Sequence, residues 1–309
     1  MTLNQLRTFL AVAESGSVRG AAAGLVVTQA AVSASLAALQ KSLAVALVVP
    51  DGRGLRLTPA GEVYARYARQ VLGLLEEARL AAAAAADPDR GDLRIAAVTT
   101  AAEQIVPAIL SGFRARYPRT GVRLEVGNRD RVHALLDRHQ VDLILGGRPE
   151  PGWDVAVHAV RPHALVVVAA PDLARQAHET AGGGAAALLA WLARQTWLLR
   201  EPGSGTRATT DALLADLDIA PITLVVGSNG AIRETARVGL GVTLVSGDGV
   251  ANELQAGTLA VIDVPGTPLH RDWYLVAHPG DLVAPAARLV EHAIAQGGFT
   301  LADKATLIS

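Results

Sequence analysis

Residues 16–43, GSVRGAAAGLVVTQAAVSASLAALQKSL, hold two helix starts and two helix stops within 28 positions, and their reading decides the fold. Ser17 stands where a side-chain oxygen caps a first turn, and Ala21, Ala22 and Leu25 follow at helical spacing. After Val26 and Val27, Thr28 caps a longer helix with Val32, Leu36, Leu39 and Leu43 on its apolar face. Gln29, Ser33 and Ser35 lie on its other face. Two helices joined by so short a turn make a helix-turn-helix.

Upstream, Thr2 and Gln5 are spaced as a capping box for a helix carrying Leu3, Leu6, Phe9, Leu10 and Ala13, which Gly16 ends. Downstream the period falls to two: Leu47-Val48-Val49, a turn at Pro50-Asp51-Gly52, and Leu55-Arg56-Leu57, a small hairpin with Arg53 at its tip. That hairpin is a wing beside the helix-turn-helix. Thr58-Pro59 pairs a cap with proline at the first helical position and opens the longest helical stretch, which runs to about Ala86 and stops at Asp87-Pro88-Asp89. Within it Ala60, Tyr64, Tyr67, Val71, Leu74 and Ala78 alternate steps of four and three, a heptad seam that predicts a paired helix and a dimer.

Beyond residue 90, strand-like runs at 93–98, 122–126 and 141–145 alternate with helical ones, a βαβαβ start that predicts a mostly parallel sheet. Further strands are expected at 164–169, 196–199, 222–226, 242–245, 259–263 and 273–278, and the Gly182-Gly183-Gly184 run reads as a surface loop. The expected fold class is α/β, with domains at 1–58 (winged helix-turn-helix), 59–90 (linker helix) and 91–309 (two α/β lobes). The lobes divide into 91–163 with 268–300, and 164–267, leaving a ligand cleft at the carboxyl ends of their strands.

Composition narrows the function. Hydrophobic residues are 50% of the 309 and charged ones 18%, which excludes global disorder. The longest apolar run, 185–193, has nine residues, too few to span a membrane, and no secretory signal is readable, so a cytoplasmic protein is expected. Without cysteine there is no disulfide, thiolate nucleophile or cysteine-held metal. Net charge is −1, yet residues 1–60 carry Arg7, Arg19, Lys41, Arg53 and Arg56 against Glu14 and Asp51, a net +3.

Enzyme motifs fail. Gly203-Ser204-Gly205 and Gly227-Ser228-Asn229-Gly230 lack nucleophile-elbow spacing, and Gly239-Leu240-Gly241 lies between a helix and a strand, the reverse of a dinucleotide site. His133 and His139 fall on different helical faces, and His158 and His163 flank an expected turn, so no metal site is expected. Catalytic residues and cofactors are accordingly expected to be none. What recurs is a polar segment between a strand and a helix: Thr99-Thr100, Asn128, Glu201 to Arg207 (with Gly203, Ser204, Gly205 and Thr206), and Ser228-Asn229. Such junctions offer free N–H groups, hydroxyls and a helix-dipole end to a small anion, and Arg207 adds a bidentate donor. Ordinary helix caps are the bland alternative for any one junction.

The chain resembles LysR-type transcriptional regulators over nearly its whole length. The likeness rests on residues 6–17 (LRTFLAVAESGS), 28–33 (TQAAVS) and 55–61 (LRLTPAG), and later on 197–207 (WLLREPGSGTR), 227–229 (GSN) and 239–241 (GLG). The second half is similar to the branch that includes regulators of carbon fixation and sulfur assimilation, which sense small anionic metabolites. The resemblance implies a winged helix-turn-helix, a dimerising linker helix and a two-lobed fold like a periplasmic binding protein, usually assembled as a tetramer. It implies promoter DNA, a small anionic effector and RNA polymerase as partners, with no membrane.

Carried over, Thr28 bonds a phosphate, Gln29, Ala30 and Ser33 face base edges, and Arg53 and Arg56 anchor the wing. The effector lies among Thr99, Thr100, Asn128, Glu201, Gly203, Ser204, Gly205, Thr206, Arg207, Ser228 and Asn229. Departures from the family pattern are Gly20 and Ala34 at positions often basic, Ala30 for proline, and Gln40, Ala44, Val48 and Pro50 for glutamate, glycine, phenylalanine and arginine. Fewer cations neutralise fewer phosphates, so weak DNA binding per subunit and reliance on avidity are expected. The rival reading is a solute-binding module whose degenerate head mainly dimerises.

Overall fold

The computed structural model describes residues 1–87 and 91–302. The chain forms two compact units, one of Met1–Ala83 with Asp137–Gln140, the other running from Ala84 to Leu136 and from Val141 onward.

In the first unit, α1 (Leu3–Ser15), α2 (Val18–Leu25) and α3 (Gln29–Leu43) begin at the expected caps: Thr2 with Gln5 as a capping box, Ser17 and Thr28. Gly16 closes α1 in the left-handed conformation at φ 63°. Val26 and Ala44 close α2 and α3 at φ 56° and 54°, where a side chain is strained. The side chain of Gln40 accepts the N–H groups of Leu47 (2.7 Å) and Val48 (3.2 Å), tying α3 to the start of the wing.

The wing is β1 (Val48–Asp51) paired antiparallel with β2 (Gly54–Leu57). Its turn is one step later than expected: Asp51 pairs with Gly54, so Gly52 and Arg53 are the loop, with Gly52 at φ 55°. A two-residue hairpin needs positive φ in the loop, which Pro50 cannot supply and Gly52 can. The N–H of Leu55 donates to the carbonyl of Gly16 at 2.7 Å, fixing the wing to the end of α1.

Helix α4 (Pro59–Ala86) starts at Thr58, whose Oγ1 accepts from the Gly61 N–H at 2.9 Å. Its expected stop at Asp87-Pro88-Asp89 includes Pro88 and Asp89, outside the described residues. Ala65 and Ala68 join the core around Phe9, Leu36, Leu39 and Leu47. The seam divides: Tyr64 packs edge-on against Phe9 at 5.5 Å, while Tyr67, Val71 and Leu74 are exposed.

The second unit runs β3 (Gly91–Val98), α5 (Thr99–Gln104), α6 (Val106–Arg116), β4 (Thr120–Gly127), α7 (Arg129–Asp137), β5 (Leu143–Gly146) and β6 (Ala156–Ala169). It continues α8 (Pro171–Ala181), α9 (Ala185–Leu192), β7 (Trp197–Leu199), α10 (Gly205–Asp216), β8 (Thr223–Val225), α11 (Asn229–Arg237) and β9 (Thr243–Ser246). A 3-10 turn (Gly247–Val250), α12 (Ala251–Gln255), β10 (Ala260–Ile262), β11 (Leu269–Ala277), α13 (Ala284–Gln296) and β12 (Thr300–Leu301) complete it.

The expected mostly parallel sheet is a mixed one. Strand β3 is parallel to β4 and β5, but β6 is antiparallel to β9, β10, β11 and β12, and β11 is antiparallel to β5. The expected turn between His158 and His163 is absent, because both lie on the 14-residue strand β6. Pro162 is tolerated there: on the edge opposite β11, β12 covers Ala159 and Val160 and β9 begins at Leu165. The missing N–H therefore falls in a gap of the ladder.

Position along β6 separates two lobes, and alternation along it gives each lobe a core on either face. Ala159 and Val160 belong to clusters with α6, α13 and α7, whereas Leu165, Val167 and Ala169 pack with α8, α9 and α10, and Val168 with α11. Two α/β lobes thus share one long strand, the arrangement of a two-lobed binding protein. Among the described residues no single helix is long and apolar enough to cross a membrane.

Candidate effector cleft and DNA-reading head

In the head, Gln29, Ala30, Ser33 and Ala34 are exposed on one side of α3, opposite buried Val32, Leu36 and Leu39. Thr28 Oγ1 accepts the Ala31 N–H at 3.2 Å, leaving its proton free to donate to a phosphate. Arg53 and Arg56 are exposed on the wing. Gly20 has a local cause: a Cβ there would stand 2.7 Å from Ser15 Cβ, whose hydroxyl already bonds the carbonyls of Ala11 and Ser17.

Between the lobes of the second unit lies a cleft of about 1010 Å³. Thr99, Thr100, Asn128, Ser204, Gly205 and Thr206 line it together, from α5, the start of α7 and the start of α10. Thr99 Oγ1 donates to the Gly127 carbonyl at 3.3 Å, and Asn128 Oδ1 accepts the Arg131 N–H at 3.0 Å. Ser204 caps α10 by accepting from the Arg207 N–H at 3.5 Å, which aims the positive end of that helix at the cleft. Gly203, at φ 82°, makes the turn into this cap.

Of the two arginines in the 197–207 segment, Arg200 lines the cleft and Arg207 does not. Only 5% exposed, Arg200 gives Nε and Nη2 to the two oxygens of Glu201 at 2.8 and 2.9 Å, and Nη1 to Asn229 Oδ1. Burial pushes the Glu201 carboxyl up, but hydrogen bonds from Arg200 and its own backbone, with the Arg200 charge, bring it below its ordinary range. Arg207 instead pairs with Asp211 at 2.8 Å one helical turn on, as its spacing on an exposed face allows, and Nη1 holds the Arg200 carbonyl at 3.2 Å. Asn229 Nδ2 donates to Thr100 Oγ1 at 2.8 Å, and Ser228 is an exposed cap of α11 away from the lining.

Sequence reading missed Arg129 and Arg148 on the rim, Ser246 at the end of β9, and His163 stacked on Trp273 (4.1 Å between ring centres) on the wall. Burial lowers His163 to about 4 against the opposing charges of Asp248 and Asp272, so the ring is neutral at physiological pH. Strand pairing brings Ser246, His163 and Trp273 together on β6 and its neighbours, which no local pattern reveals. Arg200 alone had a signal, a cation at the carboxyl end of an apolar strand. Among the described residues no cluster of three or more metal-ligating side chains occurs.

Residues 3–62 match the bacterial regulatory helix-turn-helix family of lysR type, and residues 86–297 match the LysR substrate binding domain. The chain belongs to the LysR family. It is 35% identical to the HTH-type transcriptional regulator CbbR of Rhodospirillum rubrum, across 92% of this chain and 93% of that one. It is 34% identical to the RuBisCO operon transcriptional regulator of Allochromatium vinosum, across 93% of each chain. The regulatory domain of CcmR from Synechocystis PCC6803, solved with 2-PG (2-phosphoglycolate), overlays 67% of this LysR chain and 97% of that chain at TM-score 0.59 and 26% identity. This LysR protein is thus a transcriptional regulator with an effector-binding domain, related to regulators of carbon fixation.

Proposed function

We propose that this regulator reads promoter DNA with α3 and the wing and changes that binding when a small anion fills its cleft. The observation that carries the reading is the cluster of Thr100, Arg200, Ser204 and Thr206 at one end of the cleft, beside the N-terminus of α10. Hydroxyl donors, a guanidinium and a helix dipole suit an anion, and bind it without transforming it. The 2-PG complex of the CcmR regulatory domain supports the same chemistry here. The cleft residues assigned to the effector on this reading are Thr99, Thr100, Asn128, Ser204, Gly205 and Thr206, with Glu201, Gly203 and Asn229 shaping them.

In the head, Thr28 holds a phosphate, Gln29, Ala30 and Ser33 meet base edges, and Arg53 and Arg56 fix the wing to the backbone. Exposed Tyr67, Val71 and Leu74 support pairing of α4 with a second copy, and two such dimers make a tetramer. The protein works in the cytoplasm as a non-enzyme, with domains at 1–58, 59–90 and 91–309, and contacts RNA polymerase at its promoters. Titrating 2-phosphoglycolate into the protein bound to DNA from upstream of its own gene tests this. A saturable change in DNA affinity is expected; none with this or any other small anion refutes effector control.

A further inference from the structure

Behind the anionic end of the cleft sits a small cavity of about 20 Å³, room for one water, which shares Thr100, Arg200, Thr206 and Ser246 with the cleft itself. Three other polar residues on its wall are already committed. Thr210 Oγ1 donates to the Thr206 carbonyl at 2.9 Å, Thr243 Oγ1 to the Leu198 carbonyl at 2.9 Å, and Asn229 bridges Arg200 and Thr100. Ser246 differs. It is 4% exposed, and among the described residues its Oγ has no hydrogen-bond partner. A buried hydroxyl without a partner is destabilising, so a group kept in that state next to a ligand cleft points to a ligand atom or a water that completes it.

The position of Ser246 is fixed by the sheet. It is the last residue of β9, directly opposite Leu165 of β6, and Leu165 and Ser246 both line the cleft. The chain then turns into the 3-10 segment Gly247–Val250. Ser246 therefore cannot swing away from the anionic end without unpairing β9 from β6.

We propose that Ser246 is a ligand contact that selects a tetrahedral oxyanion, a phosphate ester, over a planar carboxylate at this end of the cleft. The inference rests on the anionic-effector reading above. A carboxylate presents two oxygens in one plane, which a guanidinium and one hydroxyl satisfy. A phosphate ester presents three terminal oxygens in three directions. Arg200, the threonine hydroxyls of Thr100 and Thr206, and Ser246 at the back supply donors for all three. Asn229 already donates to Thr100 Oγ1, which leaves that hydroxyl's own proton to point elsewhere.

The test compares 2-phosphoglycolate with diglycolate, in which a carboxymethyl group replaces the phosphoryl group, by calorimetry on the full-length protein. Wild type is expected to prefer 2-phosphoglycolate at least tenfold. Ser246→Ala should cut that preference three- to tenfold, and Ser246→Thr, which restores a hydroxyl, should regain part of it. Because Ser246→Ala removes an unpaired hydroxyl, its thermal midpoint should not fall. An unchanged preference in Ser246→Ala overturns the proposal alone and assigns the hydroxyl to a buried water. Failure of wild type to bind either probe overturns the anionic-effector reading and the proposal together.

Discussion

Asn229 Nδ2 donates to Thr100 Oγ1 at 2.8 Å, joining the start of α11 in one lobe to the start of α5 in the other. The same amide accepts from Arg200 through Oδ1, so one side chain bridges the lobes and orients the buried guanidinium. A second link runs parallel to it: Arg233 of α11 lies 3.6 Å from Glu103 of α5, and 3.3 Å from Glu253. On the proposed anion site, the residues that orient the guanidinium are also the ones that join the lobes, which is what an effector-driven shift between two arrangements requires.

Asn229→Ala should therefore weaken 2-phosphoglycolate binding by roughly tenfold, the scale of one charged hydrogen bond lost together with its geometry. DNA binding without ligand should change little, since the substitution lies in the second unit and α3 belongs to the first. Calorimetry and a DNA-binding titration on the same preparation check both. Ligand affinity equal to wild type would show that the bridge has no part in binding.

The linker seam leads to an assembly prediction. Tyr67, Val71 and Leu74 are exposed along α4, so Leu74→Glu should place a charge in the paired-helix seam and shift the protein toward monomer. Sedimentation velocity at micromolar concentration reads this out. An unchanged sedimentation coefficient means that assembly does not use this face.

Val26 is 90% exposed and sits in the left-handed region at φ 56°, a strained state for a β-branched residue. Val26→Gly should stabilise the head by about 1 kcal/mol, the relief of that strain less the entropy of glycine. Chemical denaturation followed by circular dichroism measures it. A loss of stability would mean that the valine contributes packing which its exposure does not reveal.

The stacked pair His163 and Trp273 carries a pH prediction. Burial first, with Arg271 adding to it, holds His163 at about 4 in the folded chain, whereas Asp248, Asp272 and the Ala164 backbone oppose the shift. The unfolded chain binds this proton near pH 6.5, so between pH 6.5 and 4 it holds more protons than the folded one. Stability is therefore expected to fall as pH drops through that window, by on the order of 1–2 kcal/mol after discounting the part of the ring open to solvent. His163→Phe should flatten the dependence in thermal melts across that range. A wild-type slope retained in full by the variant would assign it to other groups.

Much of the head was legible in sequence because its signals are local. Thr2, Ser17, Thr28 and Thr58 announce helix starts through oxygens three residues from the N–H groups they accept, and Gly16 announces a stop. The wing turn was misplaced by one step because Pro50 reads as a turn residue but serves equally at an edge. The second unit was legible as alternating strands and helices, yet its sheet order was not. The pairing of β6 with β11 joins Arg161 to Trp273, and such long-range antiparallel register leaves no periodic trace.

The cleft divides in the same way. Thr100, Ser204 and Thr206 stand at strand-to-helix junctions that a sequence displays. Arg200 and Arg207 are seven apart in one such segment, and only the structure shows that Arg200 is buried behind Glu201 while Arg207 pairs with Asp211. Ser246 has no motif around it, and its role depends on what β6 places opposite.

The head itself decides the most. With Gly20 and Ala34 where the family pattern is often basic, the exposed cations of the reader are few, and the proposed reading assigns specific binding to Gln29, Ala30 and Ser33. Fluorescence anisotropy of the full-length protein on DNA from upstream of its own gene, against an unrelated duplex at near-physiological salt, tests this directly. Preference for its own upstream DNA by at least a hundredfold, lost in the Gln29→Ala, Ser33→Ala double variant, is the expected result. Equally weak binding to both duplexes, unchanged by the double variant, would contradict it and leave the cleft as the working part of the molecule.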